Sequence, residues 1–329
     1  MAGAFASNQP VLKITICRSA RELVHVKPLW LSLLGRNNST VFQNFDLNLL
    51  AAQMFAGRED PFIICAEASY GAAIIPAAVR NSDNSLCLLG EELFDYRKFL
   101  HSGNEEVLRE AIAALAGQKK SLEITALRDC DCDGVSAELT LEPFSAAPLV
   151  RCCDAESLWN VHARLGRNLR RLQRLGYELK RYNGENPDLL RAIYRAKADQ
   201  DSSSLFHDSL RAEFITSAAL LRPEIFEIFT LECGAQIGAA LITLRDGDVR
   251  RFYTGWFAPE IARHSPALTL IYEVSCESLA AGMDCDYMTG EQPYKLRLAT
   301  ASVPLYRLRA TPEQLANLVV PASEIKLAG

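Results

Sequence analysis

The stretch "FTLECGAQIGAALITL" (residues 229–244) contains two apolar runs joined by a short turn at Cys233-Gly234. Two such runs separated by a few residues that include glycine are typical of a β-hairpin. The stretch "FIICAEASYGAAIIPAAV" (62–79) repeats the order of apolar strand, acid, small turn and apolar strand. The acids Glu67 and Glu232 then align. We interpret the two hairpins as parts of a duplicated α/β unit, although any two hairpins of an α/β protein share some of this pattern.

The regions after the two hairpins also correspond. Each hairpin is followed by a further strand and a helix, "NEEVLREAIAALAG" (104–117) in one half and "SPALTLIYEVSCESLAAG" (265–282) in the other. A length of 329 residues suits two domains of ordinary size. The segment "EPFSAAPLV" (142–150) is rich in proline and small residues, which favours a linker. The prediction is therefore an N-terminal domain over 1–148 and a C-terminal domain over 149–329.

The composition is that of an ordinary globular protein, with 49% hydrophobic and 23% charged residues. The formal net charge of −5 argues against a protein that binds nucleic acid with its whole surface. Any binding of anions must come from a local patch.

The ten cysteines do not suggest a secreted disulfide framework. Cys65, Cys87 and Cys233 lie in apolar, strand-like runs, where a free cysteine behaves as a small hydrophobic residue. The sequence has no C-x-x-C pair and no histidine at zinc-finger spacing, so no metal site is predicted. The first residues do not have the pattern of a signal peptide, and no apolar run approaches the ~18 residues of a membrane span. A cytoplasmic location follows as the default expectation.

The helix predicted at 265–282 has clear boundaries. Ser265 is a favourable N-cap residue, Pro266 suits the first helical position, and Gly282 suits the position after the last turn. The free backbone N–H groups at the amino end of a helix attract phosphate, and Arg263 and His264 stand beside this one. Every helix has such an end, so spacing alone does not establish an anion site.

The segment "DAESLWNVHARLGRNLRRLQRLGYELKR" (154–181) predicts a basic helix that begins near Asp154 and ends near Gly176. Its basic residues outnumber the single acid Glu178 over 164–181, for a net charge of +6; they are Arg164, Arg167, Arg170, Arg171, Arg174, Lys180 and Arg181. This face is either simply solvated or a contact for an anionic partner, such as a cofactor phosphate, a nucleic acid or an acidic glycan.

The second half resembles the CelD-type acetyltransferase branch of the GNAT superfamily, which is related to the FemAB-like double-GNAT proteins. The resemblance is carried by "RLGYEL", the hairpin at 229–244, "FYTGWF", "HSPALTL" and "AAGMDCDYMTGEQPYK". In the first half, "PLWLSLLGRNNSTVFQNFDLNLL" is similar to the family's Trp-containing helix and the Phe-containing segment after it. The similarity covers about residues 12–310.

The resemblance implies two GNAT folds, each a mixed β-sheet flanked by helices, with acyl-CoA bound by the second. The family places the pyrophosphate at the start of the helix that begins here near Ser265. The residues implied for binding acetyl-CoA or another acyl-CoA are His264, Ser265, Pro266, Ala267 and Leu268. Two features depart from the family: its usual Ser-Pro-Gly is Ser265-Pro266-Ala267, and its phosphate loop rich in arginine and glycine is absent.

Transfer of an acyl group to an amine needs a neutral amine, a polarised thioester carbonyl and a proton for the departing thiolate. The stretch "DYMTGEQPYKLRLAT" (286–300) offers three candidates for this chemistry. Asp286 is expected to hold or deprotonate the amine, and Tyr294 to protonate the thiolate. Lys295 would bind a phosphate or carboxylate, or orient Asp286. The alternatives are that Asp286 caps a turn, Tyr294 is a core aromatic and Lys295 is a solvated strand residue.

On the acceptor side, the predicted substrate-binding residues are Tyr253, His207 and Arg171. His207 is either an acceptor-side base or part of a polar loop. The leading hypothesis is an enzyme, an N-acyltransferase that moves an acyl group, expected to be acetyl, from acyl-CoA to an amine. The acceptor would be an amino sugar or an intermediate of the cell envelope or a polysaccharide. The alternatives are a Fem-type transferase that uses aminoacyl-tRNA, the only partner here that would be a nucleic acid, and a non-catalytic accessory of polysaccharide synthesis.

Overall fold

The computed structural model of the protein describes residues 12–318 apart from 36–37, 91, 132–134 and 136–138. The chain folds as two units. The first runs to Pro143 and also takes in the chain from Tyr306 onward, and the second is Phe144–Leu305. These limits fall inside two strands rather than in a linker. Residues 142–150, predicted as a linker, belong to a strand in which the carbonyl groups of Ala146, Pro148 and Leu149 all accept backbone hydrogen bonds.

The first unit contains, in chain order, β1 (Lys13–Cys17), α1 (Ala20–Leu23), α2 (Lys27–Leu34), α3 (Phe45–Met54), β2 (Glu59–Pro61), β3 (Ile63–Ala68), β4 (Gly71–Ile75), β5 (Ala77–Arg80), β6 (Ser85–Leu88), β7 (Leu100–Gly103), α4 (Glu105–Ala113) and β8 (Leu122–Arg128). The chain then follows β9 (Thr140–Val150) into the second unit.

The second unit contains α5 (Ala155–Arg174), β10 (Glu178–Asn183), α6 (Pro187–Gln200), α7 (Ser209–Leu221), β11 (Phe226–Cys233), β12 (Gln236–Asp246), β13 (Val249–Phe257), α8 (Pro266–Ala280), β14 (Asp284–Asp286) and α9 (Pro293–Leu298). Along β15 (Ala301–Ala310) the chain passes back to the first unit, which ends with α10 (Pro312–Asn317).

The two units repeat one plan, as predicted from the hairpins. In each, an opening strand and helical segments precede an antiparallel hairpin. One further strand in the second unit, and three in the first, then lead to a helix and another strand. The register is the same in both: Glu67 pairs with Lys13 on one side and Ala72 on the other, and Glu232 pairs with Glu178 and Ile237. Each unit has a β-sheet with helices packed against it, so the predicted α/β fold class is confirmed.

The four-stranded sheet of the first unit, in the order β1-β3-β4-β7, is covered on both faces. Alternate residues of a strand point to opposite faces. Accordingly, Ile64 and Ala66 of β3 lie in one core cluster with residues of α4, whereas Ile63 and Cys65 lie in another with Trp30 and other residues of α2 and α3.

In the second unit, one face of the sheet packs under α5 and α8. Phe229 and Leu231 of β11 share a core cluster with Leu165 and Leu172 of α5 and with Leu270 and Val274 of α8, among other residues. The carboxyl end of α8 is capped as predicted. Gly282 has a φ of +76°, its N–H donates to the carbonyl of Leu279, and the N–H of Met283 donates to the carbonyl of Ser278. These two bonds form a Schellman motif, which only a left-handed residue allows without strain.

Candidate active site

The strands β13 and β14 part in the middle of the second unit. They pair in parallel over three residues, ending with Arg251 opposite Asp286. Beyond that pair, β13 continues to Phe257, whereas β14 ends at Asp286. In the described part of the chain, no strand pairs with the free edge of β13 beyond Arg251. The sheet therefore opens at this point. The stretch 252–257 of β13 forms one side of the opening, and the segment after Asp286 forms the other.

A β-bulge lies at the mouth of this opening. Ile242 of β12 pairs with Thr254 and Thr243 pairs with Phe252, so Tyr253 is the extra residue on β13. A bulge re-aims a side chain and leaves a residue of the ladder unpaired, which is common beside active sites. Tyr253, predicted as an acceptor-side residue, is half-buried there.

Asp286 is held in an ion pair. Its Oδ2 accepts from the Arg251 guanidinium, which also donates to Asp246 Oδ2 at 2.7 Å. Its Oδ1 accepts from the N–H of Met288 at 2.8 Å, at a turn where Met288 has a φ of +64°. Asp286 thus ends a strand, and its side chain fixes the turn and the last strand pair.

Lys295 is not a solvated strand residue: it lies on α9 and is buried, and its Nζ donates to the carbonyl groups of Met288 at 3.3 Å and Thr289 at 2.7 Å. Asp286 forms an ion pair with Arg251. Lys295 and Asp286 both hold the turn that follows β14. The expected role of Lys295 in binding a phosphate or carboxylate, or in orienting Asp286, stays a prediction.

Tyr294 is close to a group of aromatic side chains beside the opening. Tyr287 makes an edge contact with Phe252, with ring centroids 5.0 Å apart, and shares a hydrogen bond with Ser275 at 3.0 Å. The phenols of Tyr287 and Tyr294 are near enough to interact electrostatically. Tyr294 is 39% exposed, and its partial burial raises the pKa of its phenol above the ordinary value of a tyrosine. It is therefore a protonated phenol at neutral pH.

The amino end of α8 has unused donors. Ser265 precedes it with a left-handed conformation, φ +49° and ψ +53°, and its side chain makes no capping bond. Pro266 is in the first turn, as predicted. The N–H groups of Ala267 and Leu268 have no acceptor among the described residues. The fully buried hydroxyl of Thr269, also in the first part of the helix, likewise has no partner there. This set of donors fits a phosphate group.

His264 ends the 3-10 turn Pro259–His264, immediately before α8, and its Nε2 accepts from Arg263 Nε at 3.1 Å. The five predicted cofactor residues thus form one continuous segment at this helix end. Arg171, in contrast, lies on α5 with an exposed side chain, and His207 is exposed in the turn Leu205–His207 with Nε2 3.1 Å from the carbonyl oxygen of Asp201.

Two residues of α6 that the sequence analysis missed face β13. The Lys197 Nζ donates to the carbonyl of Gly255 at 3.2 Å, and burial lowers the pKa of its ammonium group. Tyr194 is buried and stacks on Phe206 with centroids 4.2 Å apart. Its hydroxyl has no hydrogen-bond partner among the described residues, and interaction with Tyr253 raises its pKa further than burial alone. The only sequence signal for Tyr194 is a phenol on the apolar face of a helix, which core tyrosines also show.

Comparison with known proteins supports the same fold. Residues 160–296 match the acetyltransferase (GNAT) domain family. The structure is similar to a conserved protein of unknown function from Bacteroides thetaiotaomicron VPI-5482, with a TM-score of 0.61, 11% identity, and coverage of 90% of this chain and 99% of that one. It is also similar to a tandem GNAT protein from the clavulanic acid biosynthesis pathway, with a TM-score of 0.53, 10% identity, and coverage of 91% and 98%.

A third similar structure is the C-terminal domain of a proposed lysylphosphatidylglycerol synthetase from Agrobacterium fabrum, with a TM-score of 0.58, 13% identity, and coverage of 91% and 96%. No curated protein matches the sequence significantly. Residues 160–296 of the second unit thus carry the match to the GNAT domain family. The chain shares the fold of a tandem GNAT protein, which confirms the two GNAT-like folds that the sequence predicted.

Within the described residues, no group of histidine, cysteine and acidic side chains is arranged to hold a metal ion. No helix among the same described residues has the length and hydropathy needed to cross a bilayer.

Proposed function

We propose that the protein is an N-acyltransferase that takes its acyl group from acyl-CoA, with acetyl-CoA as the expected donor. The observation that carries the proposal is the parting of β13 and β14 beside the bulge at Tyr253, in the same unit as the unused donors at the start of α8. The phosphates would bind at the helix end, and the thioester would enter the opening between the strands.

The reaction forms a C–N bond between the amine and the acyl carbon and breaks the C–S bond of the thioester. Backbone groups released by the bulge would polarise the thioester carbonyl. Tyr294, a phenol that stays protonated at neutral pH, would give its proton to the departing thiolate and regain one from the ammonium through water. Asp286 and Lys295 would act as positioning residues, since both are engaged in holding the turn 287–290.

The acceptor amine would approach from the side of α6. Tyr253, Tyr194 and Lys197 supply two phenols and an amine near β13. The CelD-type resemblance favours an amino sugar or an intermediate of the cell envelope or a polysaccharide. A cytoplasmic location is part of this proposal and agrees with the free thiols of the described cysteines.

The direct test is calorimetric titration of the purified protein with acetyl-CoA, together with native mass spectrometry for a retained CoA species. Binding in the micromolar range, and release of free thiol when amino sugars are added, would support the proposal. Absence of binding by wild-type protein would remove it.

A second candidate is a transferase that uses aminoacyl-tRNA, favoured by one observation. The five arginines of α5 are exposed, and none forms an ion pair with a described residue, whereas Lys180 and Arg181 are paired with Glu232 and Glu277. Binding of charged tRNA that weakens steeply with salt, without binding of acetyl-CoA, would favour this candidate. Full cellular function of Asp286→Asn and Tyr294→Phe variants would favour a non-catalytic accessory role.

A further inference from the structure

One stripe of α5 faces α8. The Trp159 side chain lies near enough to the Cys276 thiol to lower its pKa, and the His162 ring lies 6.5 Å from that of Tyr272. A Cβ on Gly166 would lie 3.9 Å from both Tyr272 and Glu273. The two helices are therefore antiparallel, because higher numbers on α5 meet lower numbers on α8.

Arg170 and Arg174 extend this stripe toward the amino end of α8. Residues four apart lie on the same side of a helix, so Arg170 follows Gly166 and Arg174 follows Arg170. The position of Arg170 is supported by its charge, which acts on the Glu273 carboxyl: burial raises the pKa of Glu273 and Arg170 lowers it.

A second contact brings the end of α5 to the segment before α8. Tyr177, just after α5, and Ile261, in the turn Pro259–His264, both pack on Gly238; a Cβ there would collide with the Tyr177 ring and lie 2.7 Å from Ile261 Cδ1. The carboxyl end of α5 therefore lies beside the start of α8. Arg170 and Arg174 are exposed and make no ion pair with the described residues, and Glu273 is an acid whose carboxyl interacts with Arg170.

The amino end of α8 also has a buried hydroxyl, that of Thr269, with no hydrogen-bond partner among the described residues. Thr269 lies three residues before Tyr272 and four before Glu273, on the stripe that faces α5. Side chains on a helix lean toward its amino end, and the Thr269 hydroxyl is fully buried with no partner among the described residues. A bound phosphate would accept hydrogen bonds from this hydroxyl and from the N–H groups of Ala267 and Leu268.

We propose that Arg170 and Arg174 bind the phosphates of the acyl-CoA that docks at the amino end of α8, a role that rests on the function proposed above. They would replace the basic residues of the phosphate loop that this sequence lacks. Arginine suits this task because its planar guanidinium binds phosphate oxygens in pairs. This arrangement favours a small nucleotide over a long polyanion as the ligand, because only two of the five arginines of α5 lie on the stripe toward α8.

The test compares acetyl-CoA and 3′-dephospho-acetyl-CoA by calorimetry on the full chain. The double variant R170Q/R174Q should bind acetyl-CoA about 10–100-fold more weakly than wild type, from the loss of charge-assisted hydrogen bonds. The difference between the two proteins should shrink at high salt. The matched control is Arg164→Gln, the same change at an exposed arginine of the same helix, ten residues from Arg174, and it should change affinity by less than about twofold.

Unchanged affinity of the double variant, with a normal circular dichroism spectrum, would overturn this assignment while leaving the acyltransferase proposal intact. An equal loss in R164Q would also overturn it, because the effect would then be one of overall charge or of a longer polyanion such as tRNA. Failure of wild-type protein to bind acetyl-CoA would instead remove the proposed function and this assignment with it. A smaller loss for the 3′-dephospho compound than for acetyl-CoA would assign the arginines to the 3′-phosphate; equal losses would assign them to the pyrophosphate.

Discussion

Arg251 and Asp286 are paired through both backbone and side chain. They face each other as the last pair between β13 and β14, and their side chains form an ion pair. The side chains are 8% and 11% exposed. This double pairing fixes the point at which the strands separate. The opening of the sheet is thus set by a specific contact between residues 35 positions apart in the chain.

Replacing Asp286 with asparagine should destabilise the second unit. The change leaves the buried Arg251 with Asp246 as its remaining carboxylate partner, so the loss should fall at the lower end of the about 3–5 kcal/mol typical of a broken buried pair. Urea unfolding followed by tryptophan fluorescence would measure it. The control Asp188→Asn, at a carboxylate 99% exposed, should change stability by less than about 0.5 kcal/mol. Lost activity with unchanged stability would show that Asp286 acts on substrate directly.

Removing the Tyr294 hydroxyl should slow the chemical step. In Tyr294→Phe, kcat should fall by about 10²–10⁴-fold, the usual contribution of general acid catalysis, with little change in KM for acetyl-CoA. Because burial raises the pKa of this phenol above its ordinary value, the loss of wild-type activity from its ionisation should begin at a higher pH than for an exposed tyrosine. Steady-state kinetics from pH 7 to 10 would measure both effects. Tyr306→Phe, in the first unit, is the control, and an unchanged kcat for Tyr294→Phe would refute protonation of the thiolate by Tyr294.

Lys197 should make the stability of the protein depend on pH. Burial lowers its folded pKa below the unfolded value near 10.5, so the folded state binds this proton less well than the unfolded state. The resulting cost is present at pH values below the folded pKa and disappears as pH rises toward 10.5. Relative to Lys197→Met, wild type should therefore gain stability as pH increases across that window, as measured by urea unfolding at a series of pH values. If the difference in stability between wild type and Lys197→Met did not change with pH, the Lys197 ammonium group would be solvated in the folded state.

Gly238 should not tolerate a side chain. An added methyl group would collide with the Tyr177 ring and with Ile261, and overpacking of this kind costs about 1–3 kcal/mol. Gly238→Ala should lower the thermal midpoint and weaken binding of acetyl-CoA, because Ile261 lies in the turn before α8. Gly255→Ala on the neighbouring strand is the matched control, since its nearest neighbour would be 3.5 Å away, and its thermal midpoint should stay near that of wild type. Equal midpoints for the two variants would contradict the packing argument.

Local patterns in the sequence predicted most of the framework of the second unit. The hairpin follows from alternating apolar runs and a glycine turn, and the limits of α8 follow from Pro266 and Gly282. Gly176 ends α5 in the same way, with the N–H of Tyr177 donating to Leu172. These signals are readable because each depends on one or two residues and their immediate neighbours.

The details of the site depend on longer-range or backbone effects. The bulge at Tyr253 is a one-residue shift in register with no residue type of its own. The left-handed conformation of Ser265 is unusual for a residue other than glycine, and the sequence predicted only a capping serine. The pairing of Asp286 with Arg251 depends on the meeting of two strands that are distant in the sequence. No short-range pattern contains that information.

The return of the chain to the first unit has a consequence for the order of folding during synthesis. Leu308, Ala310, Leu315 and Leu318 belong to the same buried cluster as Ile64 and Leu108. A ribosome delivers these four residues last, long after the rest of that cluster has left the exit tunnel. The second unit, formed from one uninterrupted segment, can complete its core first, and the unit that begins the chain is the last to be finished. A nascent chain stalled so that residue 300 has just left the exit tunnel should therefore protect the second unit from protease and leave the first one open to cleavage.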